Sequence, residues 1–303
     1  MKLFKKIALG FLAVVILTAA AGYIYFDQKF TPEKNYLTVK NESGNIPIAW
    51  LGNDKNVLLL PIHFSGNSET YYLQFDTGSA YTVFYSQSIK DIREISIDNE
   101  QAKTSFFVGK TEISSDQFKI YKTNKDDKND SIKIIGTLGA DLLEDRKTLI
   151  NFREDLVVLN VSSIPADYRN KFIDFKFKKR KIIIPGILKG EERKFLYDSG
   201  TSAFEFLTYK EEWEKLKLKN SKVKIEKSKS WNNVLTTYTA SCDQNIEFDH
   251  IKIPVKELTY VEGFSTAQFS LMKFSGMSGM LGNKIFLDNS IFIDCSDHKI
   301  AIN

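Results

Sequence analysis

Two short stretches constrain this chain more than anything else in it. Tyr72-Leu73-Gln74-Phe75-Asp76-Thr77-Gly78-Ser79-Ala80 and Phe195-Leu196-Tyr197-Asp198-Ser199-Gly200-Thr201-Ser202-Ala203 each close an apolar run with Asp-(Thr/Ser)-Gly-(Ser/Thr). An apolar run that ends in a glycine-containing turn is the pattern of a strand entering a tight turn. Packing explains neither Asp, because a carboxylate entering a core is costly unless something uses it. Two such turns in one chain point to two carboxylates brought together.

The flanks repeat as well. Leu58-Leu59-Leu60-Pro61 precedes the first turn and Ile182-Ile183-Ile184-Pro185 the second. Each is followed by a polar turn, Ser65–Ser68 and Lys189–Glu192, and then by the strand that carries the Asp. Each half closes alike, with Thr137-Leu138-Gly139 and Met280-Leu281-Gly282 followed by a pair of strand-like runs. A lone Asp-Thr-Gly arises by chance in roughly 10% of chains this long; its repetition with these flanks does not. Asp76 and Asp198 lie 122 positions apart, far beyond a solenoid period, so the halves read as two copies of one lobe.

Between each turn and its closing segment the pattern is strand, as in Phe106–Ile113 and Asn245–Ile253. Helical pattern is scarce, with Tyr209–Leu218 the best candidate. Lys125–Ser131 reads as a charged loop and Ser163–Asp174 as the connection between lobes. Lys176–Arg180 reads as a polar edge or hinge. The class is all-β with a few short helices. The expected organisation is 1–26 as membrane anchor or signal, 27–45 as linker, 46–165 as first catalytic lobe and 166–303 as second.

From Ile46 to the C-terminus the chain resembles the aspartic proteases of the pepsin and retropepsin clan, with both halves of the active site on one chain. The resemblance implies a two-lobed pepsin-like fold with a pseudo-two-fold repeat. It implies an aspartic endopeptidase, working as a monomer on a peptide or protein substrate with no cofactor and no metal. Asp76 and Asp198 would be the catalytic pair. Thr77 and Ser199 would send hydroxyls across the lobe junction and lock the turns together. Ser79 and Thr201 would hydrogen-bond the catalytic carboxylates. Gly78 and Gly200 would leave room for the substrate backbone and permit tight geometry. The two apolar-apolar-glycine segments would thread beside the turns, where glycine is needed for close backbone approach. A flap should cover the cleft. Trp231, between two strand-like runs of the second half, is either its tip or a core anchor; in the first half the candidate is Ile95–Phe106. The alternative function is a catalytically inactive protein of the same fold that binds a peptide or protein partner in the cleft.

Lys2, Lys5 and Lys6 precede Ile7–Phe26, an uncharged stretch long enough to span a bilayer. The lysines place its start in the cytoplasm and the remainder of the chain outside. Two readings stand: an uncleaved single-pass anchor, or a signal peptide cut near Thr18-Ala19-Ala20-Ala21-Gly22. Either way the catalytic part is periplasmic or extracellular. The two cysteines, Cys242 and Cys295, then form either a permitted disulfide or two separate buried thiols. A formal net charge of +4, spread mostly over scattered lysines, argues against nucleic acid. His63, His250 and His298 are far apart in strand patterns, and no metalloprotease, nucleophile-elbow or phosphate-loop motif is present.

Overall fold

The structure, a computed structural model, describes residues 17–18, 21–22, 24–25, 27–122, 132–230, 233–263 and 276–303, with the side chains of 228–230 and 233 excepted. The chain divides into two units, Met1–Lys34 and Asn35–Asn303. In the first, the described residues from 17 to 29 are helical, and the Thr31 amide donates to the Gln28 carbonyl at 3.2 Å. Much of Ile7–Phe26 lies outside the described residues, among which no helix is long and apolar enough to cross a membrane.

Within the larger unit the two halves of the chain build the same sheet twice. The first has the order β3 (Ala49–Leu51), β4 (Val57–Ile62), β5 (Tyr71–Phe75), β10 (Ile134–Leu138), β6 (Val83–Tyr85), β9 (Thr111–Tyr121), β8 (Gln101–Val108) and β7 (Ser96–Asp98), with β1 (Thr38–Lys40) also on β9. The second runs β14 (Lys176–Lys178), β15 (Lys181–Leu188), β16 (Glu191–Tyr197), β21 (Gly279–Leu281), β17 (Phe206–Thr208), β20 (Ile251–Glu262), β19 (Asn233–Phe248) and β18 (Lys224–Ser230). The directions agree too. β5/β10 and β16/β21 are parallel, β10/β6 and β21/β17 antiparallel, and β6/β9 and β17/β20 parallel.

A third sheet joins the copies. Its order is β13 (Phe172–Asp174), β23 (Lys299–Ile302), β22 (Ser290–Asp294), β11 (Lys147–Asn151), β12 (Leu156–Val158) and β2 (Ile46–Pro47). At its centre β11 and β22 run antiparallel with Leu149 opposite Phe292. These two residues hold the same position in their repeats, as Gly139 and Gly282 do. A residue that faces its own counterpart lies on the two-fold axis of an isologous contact, so the pseudo-axis passes through this pair.

Packing follows from the strand pattern. In β8 the residues Ala102, Thr104, Phe106 and Val108 are buried while Gln101 and Lys103 are exposed, the period of two expected of a sheet with one wet face. β4 instead buries Leu58, Leu59 and Leu60 in succession. Aromatic edges fill each half: Phe84 meets Phe118 at 5.2 Å and Phe106 at 6.0 Å, and Phe195 meets Phe206 at 5.7 Å and Phe248 at 6.2 Å. Each such pair adds about 0.5–1.5 kcal/mol beyond its buried area.

Two short α-helices are described in this unit, α1 (Ser86–Ile89) and α2 (Lys210–Leu216). The second falls inside the expected Tyr209–Leu218. It buries Trp213 and Leu216 three residues apart and carries Glu211 and Glu212 in its first turn, where acidic side chains favour the positive end of a helix.

The structure adds detail to the expected boundaries. The folded unit begins at Asn35 rather than Ile46, because Thr38–Lys40 adds to β9 and the Asn35 amide group donates to the Asp141 carbonyl at 2.7 Å. So short an edge strand carries no periodic signal. The connection Ser163–Asp174 ends in β13, which pairs with β23. Lys176–Arg180 is indeed an edge, β14, but its turn places Lys179 and Arg180 at φ 53° and 59°. Left-handed backbone is uncommon for side chains of this size, and buried contacts of Arg180 described below hold it there. Cys242 and Cys295 are both buried free thiols. The loop Lys125–Ser131 lies outside the described residues.

Candidate active site

The strand order explains how each Asp is presented. A chain leaving β5 cannot form a hairpin with β6, because β10 lies between them. The segment from Asp76 to Thr82 must therefore bridge the width of an intervening strand, roughly 10 Å. Asp198 to Glu205 does the same over β21. In both copies the inserted strand holds the Asp backbone: the Asp76 amide donates to Leu138 O at 3.0 Å and the Asp198 amide to Leu281 O at 2.9 Å. The expected apolar-apolar-glycine segments are these inserted strands. A Cβ on Gly139 would lie 2.3 Å from the Tyr81 carbonyl, and one on Gly282 2.1 Å from that of Thr201.

The two turns are braced reciprocally, as Thr77 and Ser199 were expected to do. The Thr77 amide donates to Ser199 Oγ at 2.9 Å, and the Ser199 amide donates to Thr77 Oγ1 at 3.0 Å. Each hydroxyl passes its own proton to the strand before the opposite Asp, Thr77 Oγ1 to Tyr197 O at 3.1 Å and Ser199 Oγ to Phe75 O at 2.8 Å. Both side chains are fully buried, so these bonds form without competition from water.

This brace sets Asp76 and Asp198 face to face, each carboxylate lying against the glycine of the opposite turn. Both remain partly exposed. Gly78 and Gly200 make the approach possible. A Cβ on Gly78 would sit 2.4 Å from either carboxylate oxygen of Asp198, and one on Gly200 2.4 Å from Asp76 Oδ1. Neither glycine has positive φ. What these positions accommodate is thus the opposite carboxylate, rather than a backbone conformation only glycine can adopt.

Ser79 and Thr201 differ from expectation. The Ser79 hydroxyl donates to Tyr81 O at 2.8 Å, and the Thr201 hydroxyl to Asp198 O at 2.8 Å. Small hydroxyl side chains in turns compete well for nearby carbonyls. The carboxylates take backbone donors instead. Asp76 Oδ1 accepts from the Gly78 and Ser79 amides at 2.8 and 3.0 Å, whereas Asp198 Oδ1 accepts from the Gly200 amide at 2.9 Å.

Burial holds Asp76 above the usual carboxylate range, against the pull of Lys181, of the bond with Asp198 and of the two amides. Burial also raises Asp198, and the negative charge of Asp76 raises it further, to about 7, while Lys181 and the Gly200 amide oppose this. Two carboxyls so placed share one proton over a wide pH range.

Several residues without an expected role stand around the turns. Lys181, at the head of β15, donates from its ammonium to the Gly78 carbonyl. Arg180 donates to Ala80 O at 3.3 Å and pairs with Glu144 at 3.0 Å. Its guanidinium lies 5.2 Å from the centre of the Tyr81 ring. The buried Asp141 carboxylate accepts from the Thr82 amide and hydroxyl at 2.7 and 2.8 Å. In the other copy the buried Asn283 donates to Ser202 Oγ at 2.6 Å and accepts from Tyr197 OH at 2.8 Å. A signal for Lys181 existed in the aligned repeats, where it stands opposite Val57 as a cation heading an apolar strand.

Trp231 lies outside the described residues. The Ile95–Phe106 segment carries the hairpin of β7 and β8, which turns at the exposed Asn99 and Glu100. A 590 Å³ groove walled by Tyr36, Thr38, Lys103, Ser114 and Asp116 includes no residue of either Asp turn. Among the described residues no group of three or more His, Cys, Asp or Glu is disposed to hold a metal ion. No protein-family model and no curated protein matches the sequence.

Proposed function

We propose that this chain is an aspartic endopeptidase with the two-lobed fold of the pepsin and retropepsin clan, its catalytic unit formed within one chain. The observation that carries the reading is the reciprocal brace between Thr77 and Ser199. It supports two equivalent Asp turns face to face, with carboxyls that can share a proton. Asp76, with two amides on one oxygen, is the better place for the negative charge, and Asp198 for the proton. A water between them gives a proton to Asp76 as its oxygen attacks the amide carbon, and Asp198 gives its proton to the carbonyl oxygen. The tetrahedral diol then collapses: the C–N bond breaks, Asp76 returns a proton to the leaving nitrogen and Asp198 recovers one from the diol. No cofactor or metal enters these steps.

The membrane reading rests on the lysines before the uncharged stretch Ile7–Phe26 and places the catalytic unit outside the cytoplasm. A mature chain beginning after Ala21 would replace the anchor by a cleaved signal.

The test is cleavage of a mixed peptide library by the purified full chain and by Asp76→Asn and Asp198→Asn. Each single variant should lose orders of magnitude in turnover and the double variant little more, because residues that act as one unit are not additive. Mixing the two single variants should restore nothing, since each site is closed within its own chain. Cleavage that persists in either folded single variant sinks the assignment. A wild-type chain that binds peptides but cleaves none at any pH points instead to a non-catalytic peptide-binding protein.

A further inference from the structure

One difference between the two copies changes the charge at the site. β4 and β15 hold the same place in their sheets, with Leu59 opposite Gln74 and Ile183 opposite Leu196. The residue heading β4 is Val57 and the residue heading β15 is Lys181. Val57 has no group to donate. Lys181 reaches from the second copy to the Gly78 carbonyl of the first Asp turn, and Gly78 also faces the Asp198 carboxylate. The brace made by Thr77 and Ser199 is symmetric, whereas this contact exists on one side alone. Its charge favours the ionised form of both aspartates, acting against their burial.

We propose that Lys181 is a positioning residue of the Asp76–Asp198 pair, tying the first Asp turn to the second copy and supplying a positive charge that acts on both carboxylates. The role rests on the endopeptidase reading for its catalytic meaning. The other groups nearby are accounted for. Tyr197, before Asp198, is buried with its hydroxyl on Asn283, and burial keeps it neutral. Lys178 lies opposite Lys181 in the β14–β15 register and is exposed. Arg180 is engaged by Glu144 and Ala80 O. A cation beside a carboxyl pair moves both of its ionisations to lower pH, so it moves the whole range in which the pair carries one proton toward acid.

The test is the pH profile of kcat/KM for the full chain, compared with Lys181→Met and Lys181→Arg. In Lys181→Met both limbs should move to higher pH, with a loss of about tenfold at the foot of the acidic limb, a displacement at the low end of what an adjacent opposite charge does to a carboxylate. Lys181→Arg, which keeps the charge, should restore the position of both limbs. A purely structural lysine would lower kcat or stability in both variants without moving the limbs. Titration of the carboxyls by carbon-13 NMR of aspartate-labelled full chain, with Asp76→Asn and Asp198→Asn to assign the signals, reads the same displacement without turnover. If the carboxyls titrate identically in wild type and Lys181→Met, or if Lys181→Arg behaves as Lys181→Met, the proposal is overturned. Persistent cleavage in the Asp variants would overturn the endopeptidase reading separately, since the titration experiment does not depend on it.

Discussion

Ser199→Ala removes one oxygen and two buried hydrogen bonds. Ser199 Oγ accepts the Thr77 amide at 2.9 Å and donates to Phe75 O at 2.8 Å, and neither Ser199 nor Thr77 is exposed. The variant leaves the Thr77 amide buried without an acceptor, which costs about 1–3 kcal/mol, and the lost bond to Phe75 adds about 1 kcal/mol. A loss of about 2–4 kcal/mol in a folded unit of this size lowers Tm by roughly 4–10 °C. Thr77→Val keeps the shape, removes the mirror-image oxygen and strands the Ser199 amide, so its cost should match although the two residues are far apart in sequence. Ser79→Ala is the control, since it removes only a local, half-buried bond to Tyr81 O and should cost well under half as much. Scanning calorimetry of the full chain measures all three. A drop below about 1 °C for Ser199→Ala, or an equal drop for Ser79→Ala, would refute the idea that the reciprocal bonds hold the turns together.

Further outcomes follow from the same geometry. Gly78→Ala and Gly200→Ala each push a methyl onto the opposite carboxylate, so both should fold at a cost of about 1–3 kcal/mol and lose at least ~100-fold in peptide turnover; unchanged kinetics would show that the carboxyls do not approach as described. Asp198, raised to about 7, binds a proton in the folded chain that it has lost in the unfolded chain above the ordinary carboxylate range. Its contribution is therefore fully present below about pH 4 and is lost as pH rises through about 7. Asp198→Asn, always neutral there, should show a flatter fall in stability between those limits than wild type in urea titrations, and parallel curves for the two proteins would contradict the raised ionisation.

Much of the site was legible because its signals are local and repeated. In this chain an apolar strand ending in Asp-(Thr/Ser)-Gly leads into such a turn twice, and the second copy checks the first. That the two apolar-glycine segments run beside the turns came from the family resemblance; the structure pairs Leu138 with Phe75 and Leu281 with Tyr197. The pairing of Thr77 with Ser199 was likewise an implication of the resemblance, and the structure shows the reciprocal bonds. The single helix anticipated in Tyr209–Leu218 was legible through its spacing of Trp213 and Leu216.

Other features were decided by the tertiary structure alone. Where a hydroxyl donates depends on which carbonyl lies nearest after folding, so Ser79 and Thr201 turned to backbone oxygens while amides took the carboxylates. Thr38–Lys40 is a strand only because β9 offers an edge to it. Lys181 is one lysine among many in a chain whose cations otherwise read as solvated surface; its meaning comes from the fold, which carries the head of β15 to the Gly78 carbonyl of the other copy. Sequence specifies the pieces that interact with their own neighbours. The partners that meet across the pseudo-axis are set by how the two sheets close on each other, and no local pattern records that distance.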